Sequence, residues 1–189
     1  MYQAGGKRVF DIVLALLLAL PALLLCLACI FAIRMERSGP AVFRQVRVGR
    51  NQRPFTLYKL RTMSQGTGDR ASHEVTASQI TRSGHFLRRT KLDELPQLVN
   101  VLRGDMSFVG PRPCLPSQTE LVAERQKHGV FNVRPGITGL AQLRGIDMST
   151  PVKLAEVDGQ YAAHITLGQD LRHIIDTALG RGSGDAVKA

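Results

Sequence analysis

One uncharged apolar stretch, Ile12–Ile33, limits the possible folds of this chain more than any other feature. A helix of these 22 residues would be about 33 Å long, enough to cross a bilayer core of about 30 Å. A buried core helix of a soluble protein is rarely so long and so apolar. A cleaved signal peptide is also disfavoured, because the stretch ends in Phe31-Ala32-Ile33 rather than in small residues and Arg34 follows at once. The sequence therefore predicts a membrane helix.

Pro21 lies near the middle of this stretch and predicts a kink, because proline removes a helical hydrogen bond and clashes with the preceding turn. Each arm would be about 15 Å long, half of the bilayer core. Two paths are therefore open: a re-entrant helix that dips into one leaflet and returns, or a kinked helix that spans the membrane. Bases at both ends favour the re-entrant path: Lys7 and Arg8 before the stretch, Arg34 and Arg37 after it.

The charge of the chain points to an anionic partner. Its net charge is +10 and its pI is near 10.3, which suits nucleic acid, an anionic membrane surface or a phosphorylated substrate. The absence of Trp and the presence of only three Tyr disfavour nucleic acid, because few rings are available for base stacking. Between Arg34 and Arg61 there are eight Lys or Arg residues and one acid, so the positive-inside rule places the chain after the stretch in the cytoplasm.

Two adjacent acids, Asp93 and Glu94, follow the most basic segment of the sequence. Residues 82–91 contain four Lys or Arg residues and no acid. Thr90 is a candidate N-cap for a helix that begins here, and Asp93 approximates a capping box. The acidic pair then has two interpretations: first-turn acids favoured by the helix dipole, or a reactive carboxylate at a helix start that attracts phosphate.

Three further bases are candidates for anion binding. Lys59 lies on the apolar face of a predicted strand, either as a rim lysine or as a contact to a phosphate or carboxylate. Arg112 stands between two prolines that restrict its backbone, which suits an Arg that holds phosphate oxygens. Arg134 belongs to a Gly/Pro loop, residues 133–139, that lacks the pattern of a P-loop.

The remaining patterns predict an α+β fold that is mostly helical. Strands Ala41–Arg47 and Pro54–Leu60 are expected to form a small hairpin. Further helices are predicted over residues 80–89, 117–129, 151–163 and 166–179, with a polar loop over 64–78 and a flexible tail over 180–189. In the helix over 117–129, the charged side chains, Arg125 among them, are interpreted as a solvated face.

Six motifs in order identify a resemblance: Lys7–Asp11, Gln45–Gly49, Tyr58–Met63, Lys91–Gln97, Gly104–Pro113 and Arg134–Gly139. Together they resemble the bacterial sugar transferase family, the monotopic phosphoglycosyl transferases, over about residues 7–179. The length is similar to that of the minimal catalytic form. Two positions depart from the usual pattern: Leu20 precedes Pro21 where relatives often have Ser, and Leu140 stands where Trp is common.

The resemblance implies a membrane-inserted re-entrant helix with its flanks over residues 1–34, broken near Pro21. It implies a cytoplasmic catalytic domain over 35–179, with a small β-hairpin and amphipathic interfacial helices packed as one monotopic membrane domain. The flexible tail is expected over 180–189. The implied location is the bacterial inner membrane, with catalysis on its cytoplasmic face.

The implied reaction moves a phosphosugar from a UDP-sugar to a polyprenol phosphate, usually undecaprenyl phosphate, and releases UMP. This is the first membrane step of bacterial glycoconjugate biosynthesis. Asp93 matches the nucleophile that forms an aspartyl-phosphosugar intermediate, and Glu94 matches the residue associated with the required Mg²⁺. Candidate substrate- or phosphate-binding residues are Lys59, Arg88, Arg112, Arg134 and Asp158.

An alternative is a non-catalytic, membrane-tethered basic protein that binds or scaffolds a glycan-assembly complex. It would explain the charge but not the acidic pair. The expected partners are the UDP-sugar donor, the polyprenol phosphate and inner-membrane lipid, without nucleic acid. The oligomeric state is open and includes a homodimer.

Cysteine labelling distinguishes the two membrane paths. In a variant whose three native cysteines are replaced by alanine, Gln3→Cys and Ser38→Cys flank the apolar stretch. Because the re-entrant path returns to the side it came from, we expect an impermeant thiol reagent to label both positions from the cytoplasmic face. The measurement compares inside-out with right-side-out vesicles, and labelling from opposite faces would exclude the re-entrant path.

Overall fold

The computed structural model describes residues 2–36, 39–64 and 80–182. The helices are α1 (Lys7–Glu36), α2 (Arg82–Thr90), α3 (Gln97–Arg103), α4 (Thr119–Lys127), α5 (Leu140–Leu143), α6 (Pro151–Ala163) and α7 (Leu167–Ala178). The strands are β1 (Val42–Val48), β2 (Pro54–Leu60), β3 (Ser107–Val109) and β4 (Gly136–Thr138). Nearly all of the polar loop predicted over 64–78, and most of the tail predicted over 180–189, lie outside the described residues.

The predicted apolar helix is confirmed as α1, which runs for 30 residues with Pro21 inside it. It is long and apolar enough to cross a membrane, yet only 17% of its most apolar part is buried. Side chains such as Leu17 and Phe31 are about 70% and 69% exposed, which a core helix of a soluble protein would not allow. The exposed surface favours insertion into lipid. Whether α1 is re-entrant or spanning stays a prediction.

One seam of α1 packs against the rest of the protein. Its members are spaced by four and seven residues, so they share one side of the helix: Asp11, Ala15, Ala22, Cys29 and Ile33. Ala15 and Ala22 belong to the main core cluster with Leu98 of α3, and Cys29 and Ile33 pack with Leu87 of α2. The helix therefore contacts the rest of the protein along its length, with Ala22 at its middle included.

Two buried carboxylates anchor the N-terminal end of α1. Asp11 Oδ1 accepts hydrogen bonds from Ser107 Oγ at 2.9 Å and from the Phe108 backbone N–H at 3.1 Å. Lys7 Nζ lies 2.6 Å from Oδ2 of Asp170, a fully buried residue of α7. Because buried charges are stable only when they are paired, these contacts fix the start of α1 against β3 and α7.

The predicted hairpin is confirmed. β1 and β2 pair antiparallel, from Val42 opposite Leu60 to Val48 opposite Pro54. Asn100 of α3 holds β2 in place: its Nδ2 donates to the Thr56 carbonyl at 2.7 Å, and its Oδ1 accepts from the Tyr58 N–H at 3.2 Å. This docking presents the end of β2 to the segment that precedes α3.

A second, parallel sheet joins β3 to β4, and the sequence patterns did not predict it. Each strand has only three residues, too few for a periodic pattern to be visible. Backbone contact is so close here that a Cβ on Gly136 would lie 2.1 Å from the Gly110 nitrogen. Glycine is required for this approach, which places the loop after β3 beside the loop that carries Arg134.

α7 has its polar side inward. Its buried residues are Asp170 and His173, whereas Leu171 and Ile175 are exposed on the outer side. A helix whose apolar stripe faces outward is typical of contact with a membrane surface or another apolar partner. The predicted amphipathic character is confirmed, and the membrane contact stays a prediction.

Candidate active site

Asp93 and Glu94 lie in a single 3₁₀ turn, Leu92–Glu94, between α2 and α3. Lys91, with a left-handed φ of 57°, ends α2 and reverses the chain into this turn. The predicted N-cap role of Thr90 is wrong. Thr90 is the last residue of α2, and its hydroxyl donates to the Phe86 and Leu87 carbonyls of its own helix. The basic segment forms a helix of its own, so the acids follow a helix end.

Glu94 gathers two bases from distant parts of the chain. Its Oε1 accepts from Lys59 Nζ at 3.1 Å and from Arg112 Nη2 at 2.9 Å. The three side chains are only 12–18% exposed, so solvent screens these ion pairs weakly. Of the predicted site residues, the structure thus brings Lys59, Glu94 and Arg112 into direct contact.

Asp93 is buried, with 5% of its surface exposed. An acid that only complements a helix dipole gains little from the dipole and normally stays in water. A buried carboxylate next to the Lys59–Glu94–Arg112 group is therefore a candidate for a chemical role.

Arg88 of α2 reaches the end of β2. Its Nε donates to Thr62 Oγ1 at 3.2 Å, and Thr62 lies three residues beyond Lys59. Its Nη1 is buried and has no hydrogen-bond partner within the part of the chain that the structure describes. A guanidinium with an unused buried N–H donor is well placed to bind an anion such as a phosphate oxygen.

Arg134 lies at the opposite end of α3 from the acidic pair. Its Nε donates to the Gly104 carbonyl at 2.8 Å, next to the Val101 and Leu102 carbonyls that Arg8 binds. Burial, together with the charge of Arg8, lowers the pKa of Arg134. The observed contact caps the C-terminal end of α3, and a substrate contact of Arg134 stays a prediction.

Asp158 is connected to Arg112 through Arg125, a residue that the sequence did not mark as part of a site. Arg125 donates to Asp158 Oδ2 from Nε at 3.1 Å and from Nη2 at 2.6 Å, and each residue is 2% exposed. Its Nη1 also donates to the backbone carbonyl of Arg112 at 2.8 Å. Burial raises the pKa of the Asp158 carboxyl, while the Arg125 guanidinium acts in the opposite direction.

The solvated-face interpretation of Arg125 is therefore wrong. Helical spacing places a charged residue on a face but does not say which partner packs there, and α6 supplies a buried carboxylate at this point. We infer that the pair holds the backbone of Arg112 in place. The available signal was Asp158 itself, which the family resemblance marks as a candidate site residue.

A small pocket lies beside Glu94 and Arg112. It is also lined by residues that the sequence analysis did not assign to a site, among them Lys91, Thr138, Gln142, Thr177 and Arg181. The buried Oε1 of Gln142 has no hydrogen-bond partner within the described residues. β4, α5 and the end of α7 thus contribute polar groups next to the acidic pair.

The carboxylates of Asp93 and Glu94 could bind a metal ion whose remaining ligands are oxygens of the substrate and water. Among residues 2–36, 39–64 and 80–182, no group of three or more His, Cys, Asp and Glu side chains could hold a metal ion by itself. Mg²⁺ needs only one or two carboxylates when phosphate oxygens and waters complete its shell. Asp93 and Glu94 supply two adjacent carboxylates, and the cations beside Glu94 suit the phosphate oxygens that would complete the shell. The pair therefore fits Mg²⁺.

Comparison with known families decides the assignment. A family model described as bacterial sugar transferase matches residues 2–181, nearly the whole chain. This chain belongs to the bacterial sugar transferase family. The family resemblance seen in the six motifs is thereby confirmed.

Several curated relatives are similar over most of this family member. It is 38% identical to an uncharacterized sugar transferase, EpsL, of Bacillus subtilis, covering 88% of this chain and 82% of the relative. It is 44% identical to a UDP-glucose:undecaprenyl-phosphate glucose-1-phosphate transferase of Caulobacter vibrioides, covering 90% and 67%. A protein of the same name from Escherichia coli is 37% identical, and the match covers 90% of this chain and 39% of that longer relative.

The structural role of the buried Arg125–Asp158 pair can be tested by removing first one of its charges and then both. Arg125→Met leaves Asp158 buried without its cation, and we expect the unfolding free energy to fall by about 3–5 kcal/mol. The double variant Arg125→Met/Asp158→Leu removes both charges and should recover most of that loss. Denaturation in detergent micelles gives these values.

The matched control is the surface pair of Lys127 and Glu124, whose lysine is 66% exposed, and Lys127→Met/Glu124→Leu should change stability by less than about 1 kcal/mol. Equal effects of the buried and exposed changes would contradict the structural role of Arg125.

Proposed function

We propose that this protein transfers a sugar 1-phosphate from a UDP-sugar to a polyprenol phosphate and releases UMP. The proposal rests on one observation: Glu94 is held by Lys59 and Arg112 directly beside the buried Asp93. The names of the Caulobacter and Escherichia coli relatives support the donor and acceptor classes, with UDP-glucose as the first donor to test.

In the first step, a carboxylate oxygen of Asp93 attacks the phosphorus that carries the sugar. The bond from this phosphorus to the oxygen that bridges the two phosphates breaks, and UMP leaves with the electron pair. The product is an aspartyl-phosphosugar, a mixed anhydride on Asp93. No proton transfer is needed, because the attacking carboxylate and the leaving phosphate are both anions.

In the second step, a phosphate oxygen of the polyprenol phosphate attacks the same phosphorus. The bond to Asp93 breaks, and the free carboxylate is restored. Division into two steps lets a soluble donor and a lipid acceptor use one site in turn. The buried position of Asp93 supports this scheme, since an acyl phosphate must be kept from water.

The bases reduce the repulsion between an anionic nucleophile and an anionic diphosphate. Lys59 and Arg112 are already oriented by Glu94, so they need little rearrangement when the donor binds. The buried Nη1 of Arg88 can donate to an oxygen of the transferred phosphoryl group. The hydrogen bond from Arg125 to the backbone carbonyl of Arg112 restricts the position of Arg112 and so stabilises this arrangement.

We propose Mg²⁺ as the cofactor, held by Glu94 with Asp93 nearby. When bound, it would neutralise charge on the diphosphate oxygens and so make UMP a better leaving group. Lys59 and Arg112 hold the Glu94 carboxylate in a fixed orientation.

We also propose that α1 is re-entrant and that the site faces the cytoplasm at the inner membrane. The seam from Asp11 to Ile33 supports this, because it packs on the rest of the protein near both ends of α1 and, through Ala22, at its middle. The middle of a spanning helix would be surrounded by lipid rather than by a catalytic domain. The outward apolar stripe of α7 favours the same interface.

The nucleophile is tested by Asp93→Asn, which keeps the shape but removes the attacking charge. We expect turnover of UDP-glucose with undecaprenyl phosphate to fall by at least about 10⁴-fold, while binding of UDP-glucose stays measurable. Wild-type protein mixed with UDP-glucose alone should carry a phosphosugar on Asp93, detectable by peptide mass spectrometry. Glu156→Gln, an exposed acid of α6, is the control and should keep full activity. Full activity of Asp93→Asn would overturn the assignment.

The metal is tested by chelation. We expect UMP release to stop in excess EDTA and to return when Mg²⁺ is added in excess. The thermal midpoint should not change with EDTA, because the described residues contain no metal cluster that could stabilise the fold. Turnover that persists in EDTA would contradict a metal role for Glu94.

A further inference from the structure

A second basic region lies at the C-terminal end of α1. An open groove of about 630 Å³ is formed there by α1, the start of β1 and the residue after β2. Three of its lining residues are cations, Arg34, Arg44 and Arg61, and Ile30 and Phe43 are apolar. Among the described residues that line it, none is acidic.

The cations of this groove are poorly satisfied within the protein. The side chains of Arg34 and Arg61 form no hydrogen bond or ion pair with any residue that the structure describes. The Arg44 guanidinium lies over the Tyr58 ring, 5.8 Å from its centroid, which leaves its N–H edges available. Three like charges around one groove repel each other, so a bound anion would stabilise all of them.

The groove also spans a polarity boundary. Ile30 belongs to the apolar stretch of α1, whereas Arg34 is the first base after that stretch. A ligand with an anionic head and an apolar chain therefore matches both halves of the lining.

The groove adjoins the end of the strand that carries Lys59. Arg61 follows β2 directly and lies two residues beyond Lys59, a separation of about 7 Å along an extended chain. Lys59 in turn contacts Glu94. A phosphate held by Arg61 would thus approach the acidic pair from the side of the membrane helix.

We infer that this groove binds the polyprenol phosphate acceptor, with its phosphate among Arg34, Arg44 and Arg61 and its first isoprene units along Ile30 and Phe43. The inference rests on the proposed function and assigns a binding site to the lipid acceptor of that reaction. A phosphate monoester carries nearly two negative charges at pH 7, whereas the phosphodiester of a bulk phospholipid carries one. Three cations and the proximity to Lys59 favour the monoester.

The two half-reactions allow the groove to be tested apart from the donor site. Arg34→Gln/Arg44→Gln removes two groove cations and leaves Arg61, Lys59 and the acidic pair unchanged. In nanodiscs of phosphatidylcholine, we expect the half-saturating amount of undecaprenyl phosphate to rise by about tenfold or more. Formation of the phosphosugar adduct from UDP-glucose alone should stay within about twofold of wild type.

The matched control is Lys127→Gln/Arg172→Gln, which removes the same charge from exposed positions elsewhere. It should leave both half-reactions unchanged. Unchanged acceptor dependence in the groove variant overturns the inference. A higher half-saturating concentration of UDP-glucose in that variant also overturns it, because the groove would then bind the donor.

Lipid binding itself is measured by native mass spectrometry of the full chain. Wild type should retain undecaprenyl phosphate better than the groove variant, and neither should prefer phosphatidylglycerol. If the two proteins differ in retention of phosphatidylglycerol but not of undecaprenyl phosphate, the groove is a bulk-phospholipid site and the inference is wrong. Absence of the phosphosugar adduct in wild type would refute the proposed function, while lipid retention would still decide what the groove binds.

Discussion

The ion-paired carboxylate of Glu94 is the contact on which the arrangement of the site depends. It draws Lys59 from the hairpin and Arg112 from the loop after β3 to the turn that carries Asp93. All three side chains are mostly removed from water, so their attraction is weakly screened. The protein thus has an oriented cationic surface next to a buried carboxylate before any substrate arrives, which is the condition for electrostatic stabilisation of phosphoryl transfer.

Other buried charges hold the frame around this contact. Arg125 links Asp158 to the backbone of Arg112, and Asp170 links the start of α1 to α7. Each is a buried pair, so losing one partner would leave an uncompensated charge. Together the pairs hold α1, α7 and the loop that carries Arg112 in one frame. In our proposal, the outward apolar surfaces of α1 and α7 and the basic groove at the end of α1 bring the lipid acceptor next to the acidic pair.

Much of the fold was visible in the sequence because it depends on local pattern. The length and lack of charge of the apolar stretch predicted α1, and the alternation around Gly49 predicted the hairpin. The two errors, at Thr90 and at Arg125, both come from reading a local pattern without its tertiary context. Thr90 was assigned to the wrong helix because either side of a short basic segment can be helical. Arg125 was placed in solvent because periodicity shows a face but not its partner.

The sequence by itself determined the family and an apolar helix long enough to cross a membrane, and it marked Asp93 and Glu94 as candidate site residues, since these follow from composition, length and ordered motifs. Only the tertiary structure decided which charges meet. Pairing of β3 with β4 needs backbones close enough to require Gly136, and this contact joins loops 26 residues apart. The groupings of Glu94 with Lys59 and Arg112, and of Arg34 with Arg44 and Arg61, likewise come from chain folding, because no local rule encodes contacts between distant segments.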